Sequence, residues 1–221
     1  MDFADYLQAH GKLVSLAHTD AIYQEVLLGF KHGFKLATHF YSAMSGITRK
    51  NAQRFAGVIE AGYLIDEMDV EIIADGVHVP EPLLQLIFKI KGPERIALVT
   101  DAMRAAAMPE GPSVLGRLQD GLAVLVEDGV AKLQDRSAFA GSVATTDRLL
   151  RTYMDLGKVS LVDGVKMLSA TPARILGIGN QKGRIAKGLD ADLLILSKEL
   201  SVEMTMIKGE IKYGSLENET T

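Results

Sequence analysis

Cysteine is absent from this 221-residue chain. Disulfides and thiolate metal sites are therefore excluded, and any metal must be held by histidine and carboxylate ligands. No apolar run reaches the roughly 18 residues of a membrane-spanning helix. The first dozen residues carry Asp2 and Asp5 and no apolar core, so no secretory signal is read there. Basic residues never cluster beyond a pair, and the formal net charge is −4. That pattern argues against a nucleic-acid surface. The expectation is a cytoplasmic protein, with no membrane or nucleic-acid partner. Its 48% hydrophobic content is enough to bury a sizeable core.

What is present is a series of short apolar runs alternating with helix signals. Residues 13–16, 35–37, 70–74 and 96–100 predict buried strands. Asp20 is expected to cap a helix carrying Ile22, Val26, Leu27 and Phe30, which Gly33 ends. Glu81 and Pro82 open another, with Leu83, Leu86, Ile87 and Ile90 on one face and Gly92-Pro93 as the stop. A βα series of this kind makes a parallel sheet or barrel. The later sequence changes style. Residues 123–127 and 130–133 flank Asp128-Gly129, a hairpin signal. Helices are predicted over 146–156, from Ser160 with Asp163 in capping-box spacing, and over 172–176. Strands follow at 193–196, 203–207 and 211–213, and the polar residues after 216 are expected to fray.

The polar residues fall in one kind of place. His18 lies two residues past the first strand and His39 two past the second. Asp75 and His78 follow the third, and Asp101 directly follows the fourth. In a parallel barrel these positions share the C-terminal face, where side chains from different strands converge. Alone, each histidine reads as a hydrogen-bonded structural residue and each aspartate as a turn former. Four strands in series with such endings point to a site. The chemistry that fits is metal-assisted hydrolysis. Imidazoles of His18 and His39 can ligate a divalent ion, zinc first, with iron, manganese or cobalt as alternatives. Such an ion acidifies water and polarises a carbonyl. Asp101 can carry the proton from water to a leaving amine. His78 can donate a hydrogen bond to the carbonyl oxygen. Arg49, Lys50 and Arg54 sit close together and read equally as a solvated charge run or an anion-binding group.

The segments 17–21, 37–44, 71–78, 98–103 and 139–142 together resemble N-acetylglucosamine-6-phosphate deacetylases of the amidohydrolase superfamily. Ala17-His18-Thr19-Asp20-Ala21 resembles their GHT/S-x-A segment, and Ala37-Thr38-His39-Phe40-Tyr41-Ser42-Ala43-Met44 their ATHLYNAM segment. Glu71 through His78 is similar to EIIADGxH, and Leu98 through Met103 to LVTDAM. Phe139-Ala140-Gly141-Ser142 resembles LAGS, and the stretches 170–177 and 183–193 resemble a tail shared by many amidohydrolases.

The resemblance implies a fold and a set of roles. The fold would be the second half of a (β/α)₈ barrel over residues 1–178, with a hairpin inserted near 115–135. Strands of a small β-sandwich would follow over 179–215. His18 and His39 would be metal ligands and Asp101 the catalytic acid/base. Asp75 and His78 would hold the substrate, Ser42 and Ala43 would bind its phosphate partly through backbone N–H groups, and Phe139, Ala140 and Gly141 would line its pocket. The best match to the family's phosphate-binding arginine is Arg54, in Arg54-Phe55-Ala56-Gly57, displaced by a short insertion. Ser42 stands where the family has asparagine. The implied reaction converts N-acetylglucosamine 6-phosphate to glucosamine 6-phosphate and acetate. The alternatives are the N-acetylgalactosamine epimer, another amidohydrolase activity such as that of dihydroorotase, or a truncated chain that binds a partner or a sugar phosphate without turnover. The family's first half, with its glutamate metal ligand, has no counterpart here, and Glu25, Glu60, Glu67 and Glu71 match no such motif. A homodimer, or association with the missing N-terminal half, is expected.

Overall fold

The computed structural model describes residues 2–215; the expected frayed tail over 216–221 lies outside the described residues. The chain begins with α1 (Asp2–Ala9), β1 (Val14–Leu16), α2 (Tyr23–Lys31) and β2 (Phe34–Ala37). A small hairpin, β3 (Thr48–Lys50) and β4 (Gln53–Phe55), precedes α3 (Val58–Leu64) and β5 (Asp69–Ile72). Helix α4 (Glu81–Lys91) then leads to β6 (Ile96–Leu98). Strands β1, β2, β5 and β6 pair in parallel in that order, so chain order equals spatial order.

Side chains alternate across a strand, and this sheet uses the alternation to separate core from site. Val70, Ile72 and Ala74 pack with Val26, Ala61, Leu84 and Ile87 of the helices. Glu71 and Ile73 fall on the other face by the same alternation. The outer edges of β1 and β6 carry no further strand among the described residues. Two polar anchors hold the base of the layer. Buried Lys91 donates to the carbonyls of Gly62 and Ile65, at 2.9 Å each, and so satisfies the C-terminal end of α3. Asp69, at the foot of β5, accepts two bonds from Arg174, at 3.0 and 2.6 Å, and one from Arg95 at 3.3 Å.

A second sheet follows: β7 (Gly111–Leu115), β8 (Leu122–Glu127), β9 (Val130–Leu133) and β10 (Phe139–Ser142), antiparallel in the order β10-β9-β8-β7. It buries its own small core of Ala105, Val124, Val126, Ala131 and Ala140. The predicted hairpin is the middle of this sheet. Its turn places both Asp128 (φ 52°) and Gly129 (φ 71°) in the left-handed region that such two-residue turns require. Helices α5 (Thr146–Leu156), α6 (Leu161–Leu168) and α7 (Ala170–Ile175) come next. Ser160 caps α6, accepting from the Asp163 N–H at 3.1 Å as its spacing predicts. Strands β11 (Leu193–Leu196), β12 (Val202–Ile207) and β13 (Glu210–Tyr213) form a third, antiparallel sheet.

Three local expectations are corrected. The residue before α2 is Ile22, not Asp20, and its N–H is satisfied by the Glu25 carboxylate at 2.9 Å. On α4 the buried residues are Leu84, Ile87 and Lys91, while Leu86 and Ile90 are 39% and 46% exposed. The buried face thus runs through Leu84, Ile87 and the Lys91 anchor rather than through the all-apolar set. Hairpin β3–β4 was not expected, because residues 48–55 show no apolar alternation. Its turn is made by Asn51 and Ala52, both at positive φ.

Candidate active site

Three residues at the parallel strand ends have left-handed backbone although none is glycine: His18 (φ 40°), His39 (φ 30°) and Asp101 (φ 44°). Such conformations cost of order 1–3 kcal/mol and persist where the surroundings over-determine them. Around His39 the cause is visible. Its neighbour Thr38 donates its hydroxyl to the Glu71 carboxylate, and its other neighbour Phe40 donates its N–H to the Glu71 carbonyl at 2.8 Å. The adjacent strand thus brackets His39 from both sides.

His18, His39, Ser42, Ala43, His78 and Asp101 line one cavity of about 690 Å³. Phe139, Ala140 and Gly141 of β10 form another wall, and Tyr41, Ile73 and Met103 contribute to the lining. The second sheet is stitched to the end of β6: Ser142 donates to the Asp101 carbonyl at 3.3 Å, and Met103 donates to the Ser142 carbonyl at 2.9 Å.

The His18 and His39 rings stack, with centroids 4.7 Å apart and planes 21° from parallel. His39 Nδ1 is buried and has no hydrogen-bond partner among the described residues. An unpaired buried imidazole nitrogen beside a second imidazole suits a metal ion. Among the described residues no three His, Asp or Glu side chains are placed to hold one metal ion together. The pair therefore fits two positions of a divalent ion and no more.

Asp75 does not line the cavity; it stands behind His78. It is fully buried, accepts the N–H groups of Val77 and His78 at 2.9 Å each, and lies 2.7 Å from His78 Nδ1. Burial pushes the Asp75 carboxyl up, but the bonds from the His78 ring and the two backbone N–H groups outweigh it and hold the group below its usual value. An ionised carboxylate only accepts, so His78 Nδ1 carries a proton and Nε2 remains for the cavity. The Phe139 ring lies 5.0 Å from the His78 ring, centroid to centroid.

The remaining predicted residues are placed as follows. The Ser42 N–H donates to the His39 carbonyl at 2.9 Å, and the Ser42 hydroxyl and the Ala43 N–H have no hydrogen-bond partner among the described residues. Arg54 lies on β4, exposed, opposite Arg49, and is outside the cavity lining. Asp101 is exposed at the cavity rim. Two contributors had no role assigned from sequence. The Tyr41 hydroxyl pairs with that of Tyr63 at 2.8 Å, and burial together with Tyr41 pushes the Tyr63 phenol up. Arg148 donates to the Asp75 carbonyl at 2.8 Å. Tyr41 lies inside the matched His39 segment and could have been noticed there; Arg148 reads only as a helix residue.

The Amidohydrolase family matches residues 5–212, and the chain belongs to that family. Within it, the chain matches the C-terminal part of N-acetylglucosamine-6-phosphate deacetylases. It is 35% identical to the Vibrio furnissii enzyme of that name over 215 residues, covering 97% of this chain and 51% of that protein. The crystal structure of N-acetylglucosamine-6-phosphate deacetylase from Thermotoga maritima superposes with a TM-score of 0.87 at 31% identity, over 97% of this chain and 56% of that one. A provisionally named N-acetylgalactosamine-6-phosphate deacetylase of Escherichia coli (strain K12) is 32% identical over 173 residues, 78% of this chain and 98% of that protein. The chain spans about half the length of the Vibrio and Thermotoga proteins.

Proposed function

We propose that this chain forms the C-terminal part of a deacetylase that hydrolyses the acetamide of N-acetylglucosamine 6-phosphate to glucosamine 6-phosphate and acetate, in amino-sugar catabolism in the cytoplasm. The observation that carries this reading is the meeting of His18, His39, His78 and Asp101, from four successive strand ends, around one cavity. The sequential parallel order of the four strands supports their being strands five to eight of a (β/α)₈ barrel spanning residues 1–178. The sheet of β11, β12 and β13 would belong to a β-sandwich over 179–215.

His18 and His39 would hold a divalent ion, which when bound would supply Lewis acidity toward water and the amide carbonyl. Asp101 takes a proton from the attacking water and delivers it to the leaving nitrogen. His78 stabilises the developing oxyanion through Nε2. Because Nδ1 is committed to Asp75, Nε2 donates only when the ring is an imidazolium, and the ionised Asp75 supplies its counter-charge. The Ser42 hydroxyl and Ala43 N–H face the sugar phosphate. Phe139, Ala140 and Gly141 shape the wall against the sugar, and Arg54 remains a phosphate ligand on its motif alone. The third metal ligand comes from the N-terminal half of a complete enzyme or from a second copy of the chain. The relative from Escherichia coli (strain K12), matched over 98% of its length, favours the galactosamine epimer as a second reading.

Acetate release from both epimers tests this, using metal-loaded protein alone and mixed with the N-terminal half of the Thermotoga maritima relative. Release from the glucosamine substrate, lost in Asp101→Asn, supports the proposal. Release from the galactosamine substrate only selects the second reading, and release from neither overturns both.

A further inference from the structure

We infer that Arg148, outside the cavity, is the residue that positions the Asp75–His78 pair within it. The inference rests on the role given above to His78. Arg148 lies in the first turn of α5 and is half-buried. One guanidinium nitrogen donates to the Asp75 carbonyl at 2.8 Å and the other to the Gly129 carbonyl at 3.0 Å. It makes no salt bridge among the described residues. A partly desolvated cation spent on two neutral carbonyls is a poor source of stability, because no opposite charge offsets its lost hydration. What it does fix is geometry.

One carbonyl belongs to the loop behind His78 and the other to a turn of the sheet that carries Phe139. Asp75 directs the His78 ring through its carboxylate, and the loop that carries both turns at Gly76, where φ is +85°. Gly129 is in the turn between β8 and β9; β9 pairs with β10, which carries Phe139, and the Phe139 ring lies 5.0 Å from His78 on the cavity side. Arg148 therefore sets the distance between the loop behind His78 and the sheet in front of it. A guanidinium offers donors on separate nitrogens in a rigid fork, whereas a lysine ammonium is a single point that cannot hold both carbonyls in this way. Arg151, three residues along the same helix, provides the control. It lies beside Asp75 and Gly76 but bonds to Asp147 and the Leu200 carbonyl, and makes no hydrogen bond to the Asp75 or Gly129 carbonyl among the described residues.

The test is nitrogen–proton NMR of the His78 ring in the full chain, with Arg148→Met, Arg148→Lys and Arg151→Met. The wild-type ring is expected to carry a proton on Nδ1, seen at low field, with a cross-peak to Phe139. Arg148→Met should remain folded, lose the low-field proton through exchange and lose the Phe139 cross-peak. Arg148→Lys should give a weakened version of both signals, and Arg151→Met should keep both. Wild-type His78 signals in Arg148→Met overturn the inference. If that variant does not fold, unchanged signals in Arg148→Lys overturn it equally. A wild-type ring without the Nδ1 proton removes the pair itself and the inference with it. Acetate release plays no part in the readout, so a failed deacetylase assay is a separate result.

Discussion

The two walls of the cavity differ in how far this chain finishes them. On one, His78 is tied to a buried Asp75 whose carboxylate is saturated by its own loop, and Arg148 braces that loop from behind. On the other, His18 and Asp101 are exposed, and His39 keeps a buried nitrogen with no partner among the described residues. The finished wall has its orientation set by hydrogen bonds internal to the chain. The other wall has its backbone set, with left-handed residues at His18, His39 and Asp101, but its side chains are tied by no side-chain hydrogen bond among the described residues. Preorganisation in this protein is therefore uneven, and the uneven part is where the metal chemistry would lie.

The largest effect that sharpens this contrast is on turnover. In an active assembly containing this chain, Asp101→Asn should lower kcat by roughly a thousandfold or more, since an amide cannot shuttle the proton. The His78 ring signals should not change, because among the described residues Asp101 bonds to the site through its backbone carbonyl alone. Near-normal kcat would place the proton transfer on the finished wall and break the comparison.

Metal binding is the next expected effect. Catalytic zinc sites take three protein ligands as a rule, and this wall offers His18 and His39. The dialysed chain should retain metal well below one equivalent, and His39→Gln should remove what remains. A full equivalent held by the chain alone, with a carboxylate of this chain as third ligand, would show that the wall closes itself.

Much of this arrangement could be read before any coordinates. Strand-end positions placed His18, His39, His78 and Asp101 together, and all four meet at one cavity. Gly92, Asp128-Gly129 and Ser160 marked their boundaries because each performs a local backbone task that its residue type favours. What was not visible depends on contacts distant in the chain. Nothing near Asp75 says that Arg148 will brace its carbonyl, 73 residues away. The placement of Asp75 behind His78, rather than against substrate, depends on a loop closing on its own carboxylate. The Asp128-Gly129 turn announced a hairpin but not β7 and β10 beside it, since outer strands with mixed polarity lack a clear alternation. Arg54 shows the reverse case: a motif points to a role, and in this chain the residue lies on an exposed hairpin outside the cavity lining.

The smallest effect concerns the pH range in which the finished wall stays finished. The Asp75 carboxyl is held below its usual value in the folded chain, so its folded pKa lies below its unfolded one of about 3.9. A group depressed in this way stabilises the fold fully above the unfolded pKa, and the stabilisation is lost as pH falls through the folded pKa. At neutral pH the contribution should therefore be complete, and the loop over 75–78 should loosen only below about pH 4. Hydrogen exchange of the Val77 and His78 amides reports this directly, because both donate to Asp75. Their protection should fall on acidification from that point. In Asp75→Asn it should be lower throughout, by roughly 1–3 kcal/mol in opening free energy, and independent of pH over that range. The amide can still accept from both N–H groups, but its NH₂ would face His78 Nδ1 and force the ring into the Nε2–H form. The His78 ring should thus reverse its tautomer while the cavity's other wall keeps its stacked His18 and His39 unchanged. Protection that is flat down to pH 3 in the wild type would mean that the loop is held by Arg148 and packing rather than by the carboxylate.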